Sequence, residues 1–182
     1  MTDVSSEALL AFWFEELDES QWWVQDGALD AEIARRFGAA HDAAATGALD
    51  GWAEDPRGAL ALVLLLDQFP RNLFRDSPRA FATDGMAVAV ARGAIEAGRD
   101  RALSPRERGM LYMPLMHAED RALQAECVRL FEGLGREDQL GFARRHKIVI
   151  DRFGRFPHRN PVLGRATTAE EAAFLAEHPA GF

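Results

Sequence analysis

The sequence is short of most residues that mark a common chemistry. Its one cysteine, Cys127, lies in the helical pattern LQAECVRLF, so there is no disulfide framework and no cysteine-based metal cluster. Its one lysine is Lys147. Every other member of its 21 basic residues is arginine, a bias that a GC-rich genome also produces, so an anion would meet planar, bidentate guanidinium forks. The longest apolar run, ALALVLLL, falls far short of the roughly 20 residues of a membrane span. The opening MTDVSSEALLAFWF is acidic and lacks the basic segment of a secretory signal, which points to a cytoplasmic protein with no membrane partner. A net charge of -8 repels phosphate backbones and argues against nucleic acid. G-x-x-x-x-G-K-[S/T], G-x-G-x-x-G, G-x-S-x-G, H-E-x-x-H and paired E-x-x-H are all missing. The common nucleotide, α/β-hydrolase and zinc signatures go with them.

Alternation of the kind that makes strands is also missing, whereas helical spacing recurs throughout. The 182 residues, 48% hydrophobic, suit a single all-α domain over 1–182. A helix starts at Ser5 or Ser6, and another carries Leu29, Ile33 and Phe37 and ends near Gly47. Asp55-Pro56 opens a third, apolar on all sides and therefore central, that runs to about Phe69. Ser77-Pro78 opens a helix carrying Phe81, Met86, Val88, Val90 and Ile95. Ser104-Pro105, with Glu107 three residues after the cap, opens one that Pro114 should kink or break at Met113. Two amphipathic helices follow, with Leu123, Cys127, Leu130, Phe131 and Leu134, then Phe142, His146, Val149 and Phe153, facing inward. Thr168 and Glu171 box the last helix. The sum is about eight helices in antiparallel pairs. Trp13, Trp22, Trp23 and Trp52 all fall early, as an aromatic core or a wall for a ligand.

Three polar blocks interrupt this pattern. Asp67-Gln68-Phe69-Pro70-Arg71 matches Asp151-Arg152-Phe153-Gly154-Arg155 as D-x-F-[P/G]-R, with Asp and Arg one turn apart and a helix stop between them. The structural reading is an ion pair at a terminated helix. The functional reading is one concave polar site of Asp67, Arg71, Asn72, Arg75, Arg155, His158, Arg159 and Asn160. The third block, MPLMHAED, adds His117, with Glu119 and Asp120 as dipole partners of the next helix or as carboxylates that orient a general base. His146, on an apolar face, reads as a satisfied core histidine. His41-Asp42 is an HD dipeptide without the companions of a metal-dependent phosphohydrolase, so neither metal nor cofactor is expected.

LAFWF, ALALVLLLDQFPRNLFR, PRAFATD, ERGMLYMPLMHAED, FARRHKIVIDRFGRFPHRN and VLGRATTAEEAAFLAE resemble, in order and from about Glu7 to Phe182, the bacterial family numbered 924 among domains of unknown function. That resemblance implies a tetratricopeptide-like right-handed superhelix and carries no activity. Met116 departs from the polar Glu that the family places there. The resulting expectation is a helical module that binds a small anionic molecule or an acidic peptide. Its alternatives are a hydrolase using His117 with Glu119 or Asp120, and a scaffold for protein partners.

Overall fold

The computed structural model describes residues 4–178, and every regular element among them is helical. In chain order they are α1 (Ser6–Ala11), α2 (Gly27–Ala45), α3 (Pro56–Val63), α4 (Phe69–Leu73), α5 (Asp84–Glu96), α6 (Pro105–His117), α7 (Arg121–Leu134), α8 (Glu137–Phe153) and α9 (Ala169–Glu177), with 3₁₀ turns between several of them. α3 and α4 form one rod through a π turn at Leu64–Gln68, which makes eight helical rods. None is long and apolar enough to cross a membrane. Residues 179–182, within the reach of the family resemblance, lie outside the described residues, as do the first three.

The starts follow local chemistry. Asp26, Asp55 and Asp120 cap α2, α3 and α7 by accepting first-turn N–H groups, and Ser104–Glu107 and Thr168–Glu171 close reciprocal capping boxes on α6 and α9. Ser77 caps only a 3₁₀ turn, Pro78–Phe81, and α5 itself begins at Asp84. That helix buries Ala87, Ala91 and Ala94 rather than Val88 and Val90; small residues let it approach α3 closely.

The central rod is buried on all sides, as its apolar circumference predicts, with α1, α5 and α6 around α3. Trp13 and Trp22 stack beside it at 5.5 Å, whereas Trp23 stands exposed. α7 lies between α6 and α8 and buries Gln124, Cys127 and Phe131. On α8 the expected inward stripe is partly wrong, because Phe142 is exposed and Leu140 and Ala143 take the core positions. A smaller cluster of Val149, Ile150, Phe156 and Phe174 ties α9 to the end of α8.

Neither internal proline ends its helix. α6 runs through Pro114 to His117. Pro70 was expected to force an exit, yet the rod continues to Leu73. The π turn just before it absorbs the missing N–H: Phe69 N donates to Leu64 O, five residues back. The displaced carbonyls are taken by side chains. Leu65 O accepts from His41 Nδ1 at 2.9 Å and Leu66 O from Thr83 Oγ1 at 2.6 Å. Asp67 O accepts from Arg71. The wider turn also places Asp67 and Gln68 on the buried side.

Gly58 sits beneath the turn at Asp50–Glu54, where an added Cβ would lie 2.1 Å from Trp52 O. Backbone cannot yield as a flexible side chain does. Gly58→Ala is therefore expected to cost about 1–3 kcal/mol, or roughly 2–4 °C of melting temperature per kcal/mol. Calorimetric melting checks this, and an unchanged transition would contradict it.

Candidate functional site

The π turn fixes one carboxylate in the interior. Asp67 has no exposed surface, and His117, the last residue of α6, reaches it from the neighbouring helix. His117 Nδ1 lies 2.8 and 2.9 Å from the two carboxylate oxygens, and Gln68 Nε2 donates to one of them at 2.5 Å. Burial opposes the charge of Asp67, but Arg71 and His117 outweigh that penalty and hold the carboxyl at about 2. An ionised carboxylate only accepts, so Nδ1 carries the ring proton toward Asp67. No described residue bonds Nε2, which leaves a basic nitrogen for a ligand.

A second tier locks this pair. Arg71 stands 3.4 Å from Asp67 Oδ1 and donates to both oxygens of Asp84, at 3.0 and 3.1 Å. Burial disfavours its charge, yet Asp67 and Asp84 more than compensate. Arg159 donates to Asp84 at 3.3 Å and to the His117 carbonyl at 2.9 Å. Its own burial, then the like charge of Arg71, lowers it to about 10, still protonated at neutral pH. The residue of the last block that meets Arg71 is thus Arg159, and it does so across Asp84.

The other expected site residues serve elsewhere. Asn72 and Arg75 both bind Asp30 on α2, at 2.8 Å and at 2.5 and 2.8 Å. Glu119 does not orient His117: it accepts from Phe156 N at 2.7 Å and from Arg165 at 2.6 and 2.9 Å. Asp120 is spent on the cap of α7. Arg155 is held by Glu171 at 2.6 and 2.9 Å, beside the buried Asn160, and His158 lies at the surface. The two D-x-F-[P/G]-R blocks are not equivalent. Asp151 is exposed, pairs with Lys147 at 2.5 Å and leaves Arg155 to Glu171. Each of Arg71, Arg75, Arg155 and Arg159 thus already faces a protein carboxylate.

An apolar cavity of about 390 Å³ opens beside the His117–Asp67 pair. Met113, Met116 and His117 on α6 and Gln139, Phe142 and His146 on α8 line it, and Trp23, Glu19, Arg136 and Asp138 complete its rim. Spacings of three and four residues put each set on one helix face. A histidine among methionines on one helix, facing a histidine and a glutamine on another, was the sequence signal for this cavity. The Met116 departure belongs to its wall. His146 donates from Nδ1 to Phe142 O at 2.9 Å, and its ring centre is 6.4 Å from that of His117. Burial, then the charge influence of His117, pushes it down to about 4. Among the described residues no group of three or more His, Cys, Asp and Glu could hold a metal ion, and His41 is committed to the π turn.

The comparisons fit this architecture. The model of a bacterial protein family of unknown function, DUF924, matches residues 9–179. A solved structure of a protein of unknown function from Agrobacterium tumefaciens is 44% identical, covers 94% of this chain and 97% of its own, and superposes with a TM-score of 0.90. No curated protein matches.

Two outcomes follow from the electrostatics. Arg71→Ala leaves Asp67 buried without its main counter-charge and is expected to lower stability by about 3–5 kcal/mol. Arg144→Ala breaks an exposed pair with Glu132 and is expected to cost less than about 1 kcal/mol. Urea unfolding of the two variants measures both. His146 titrates near 6.5 when unfolded and at about 4 when folded, so the fold favours its neutral form. Its contribution is full above pH 6.5 and is lost as pH falls toward 4, by roughly 2–3 kcal/mol. His146→Gln should remove that part of the slope; an unchanged slope would contradict the assignment.

Proposed function

The chain belongs to the DUF924 family of bacterial proteins, and we propose that it binds a small molecule with an apolar body in the cavity between α6 and α8 and acts on it through His117 as general base. The supporting observation is the pairing of His117 Nδ1 with the fully buried carboxylate of Asp67 at 2.8 Å, on the wall of that cavity. A buried, ionised partner fixes the ring's tautomer and stabilises the imidazolium that forms when Nε2 takes a proton. The apolar walls would orient a substrate by shape.

This reading keeps the ligand-binding expectation and moves it. The concave site of arginines is already neutralised by Asp30, Asp67, Asp84 and Glu171, and an incoming anion would have to displace a chelated carboxylate. The hydrolase alternative keeps its base, His117, and replaces Glu119 and Asp120 with Asp67. A water held by Nε2 would attack an ester's acyl carbon in the cavity, its proton passing to the imidazole, which returns it to the alkoxide that departs as the acyl–oxygen bond breaks.

Turnover of p-nitrophenyl butyrate by the purified protein tests this. His117→Gln, which retains a polar side chain, is expected to lower kcat/KM by roughly 10²–10⁴-fold with an unchanged helical circular-dichroism signal. An equal rate in the variant, or no rate above buffer in the parent, would count against the proposal.

A further inference from the structure

We infer that the ligand of this cavity is an anionic amphiphile, its acid group held by Arg136 at the rim and its chain laid along Met113, Met116 and Phe142. The inference rests on the preceding reading that this cavity is the ligand site, and adds to it the chemical class and the residue that selects it.

Arg136 differs from the arginines of the motif blocks. Arg71, Arg75 and Arg155 each have a carboxylate within 2.5 to 3.1 Å, and Arg159 has one at 3.3 Å. Among the described residues Arg136 has two looser contacts, both at 3.5 Å, to Glu19 and Asp138. Arg106 takes the other oxygen of Glu19 at 2.6 Å, and the Asp138 side chain is 65% exposed. The Arg136 side chain itself is only 25% exposed, and its carbonyl accepts from Leu140 N at 2.9 Å, so its backbone is anchored in the first turn of α8. A guanidinium so loosely coordinated has donors to spare for a planar acid group. Its place beside apolar walls strengthens such a pair, because the low-dielectric side screens it less than water does.

The remaining rim and wall argue the same way. Trp23 and Phe142 are both large and exposed, at 55% and 48%, and stand at the mouth, where an aliphatic chain would cover them. Met113 and Met116 offer flexible, polarisable surface that follows a chain of varied shape. A carboxylate and a phosphate monoester share the anionic oxygens that Arg136 would bind, and both head groups enter the test.

Isothermal titration calorimetry with sodium octanoate, octyl phosphate and 1-octanol, which carry the same chain, separates the parts. In the parent protein at least one acid is expected to bind about tenfold or more tighter than the alcohol, the factor from one added charge-assisted contact. Arg136→Gln should level acid and alcohol while leaving the alcohol's affinity unchanged. His117→Gln should keep the preference for the acid. Equal binding of acids and alcohol by the parent, or a preference that survives Arg136→Gln, overturns the inference and leaves the cavity reading standing, because 1-octanol still binds. Failure of all three to bind overturns both.

Discussion

A carboxylate with no access to water, Asp67, sets the terms for its surroundings. Leaving such a charge in an apolar interior unpaired would cost several kcal/mol, more than most single contacts return. The fold meets that demand from three directions. Arg71 comes from the same rod, His117 from α6, and Gln68 from the adjacent position. Those partners carry charge or polarity of their own, and Asp84 and Arg159 answer it in turn. Positions far apart in the chain are therefore tied to one interior point, and α4, α5, α6 and the turn after α8 cannot shift independently.

Much of the architecture was legible in the sequence because it is set locally. Caps such as Asp55, Ser104 and Thr168 depend on residues within one turn, and each was readable. The all-round apolar character of residues 59–66 identified the central helix for the same reason. What could not be read depended on distant chain. Pro70 reads as a stop; it becomes a π turn only because His41 and Thr83 arrive from α2 and the start of α5 to take the freed carbonyls. Sequence proximity gave His117 the carboxylates of Glu119 and Asp120, whereas its partner lies 50 residues away. The likeness of the Asp67 and Asp151 blocks is one of letters, since one aspartate is buried and the other is not.

The same distinction governs the functional reading. Arginine-rich blocks in an acidic protein look like an anion site when partners are unknown. With Asp30, Asp84 and Glu171 in view, the motif arginines become counter-charges that hold helices together. Nε2 of His117 and the loosely held guanidinium of Arg136 border the cavity between α6 and α8. The likeness to the Agrobacterium tumefaciens protein extends over nearly both chains and carries the fold with it.

The dyad rests on an ionised Asp67 that can only accept, and the ring nitrogens of His117 report that state directly. Long-range ¹H–¹⁵N correlation of the uniformly ¹⁵N-labelled protein, with His117 assigned by its loss in His117→Gln, reads the proton's position at neutral and alkaline pH. Protonated Nδ1 throughout is the predicted result. A bare Nδ1, with the proton on Nε2, would mean that Asp67 is not the anion that organises this site.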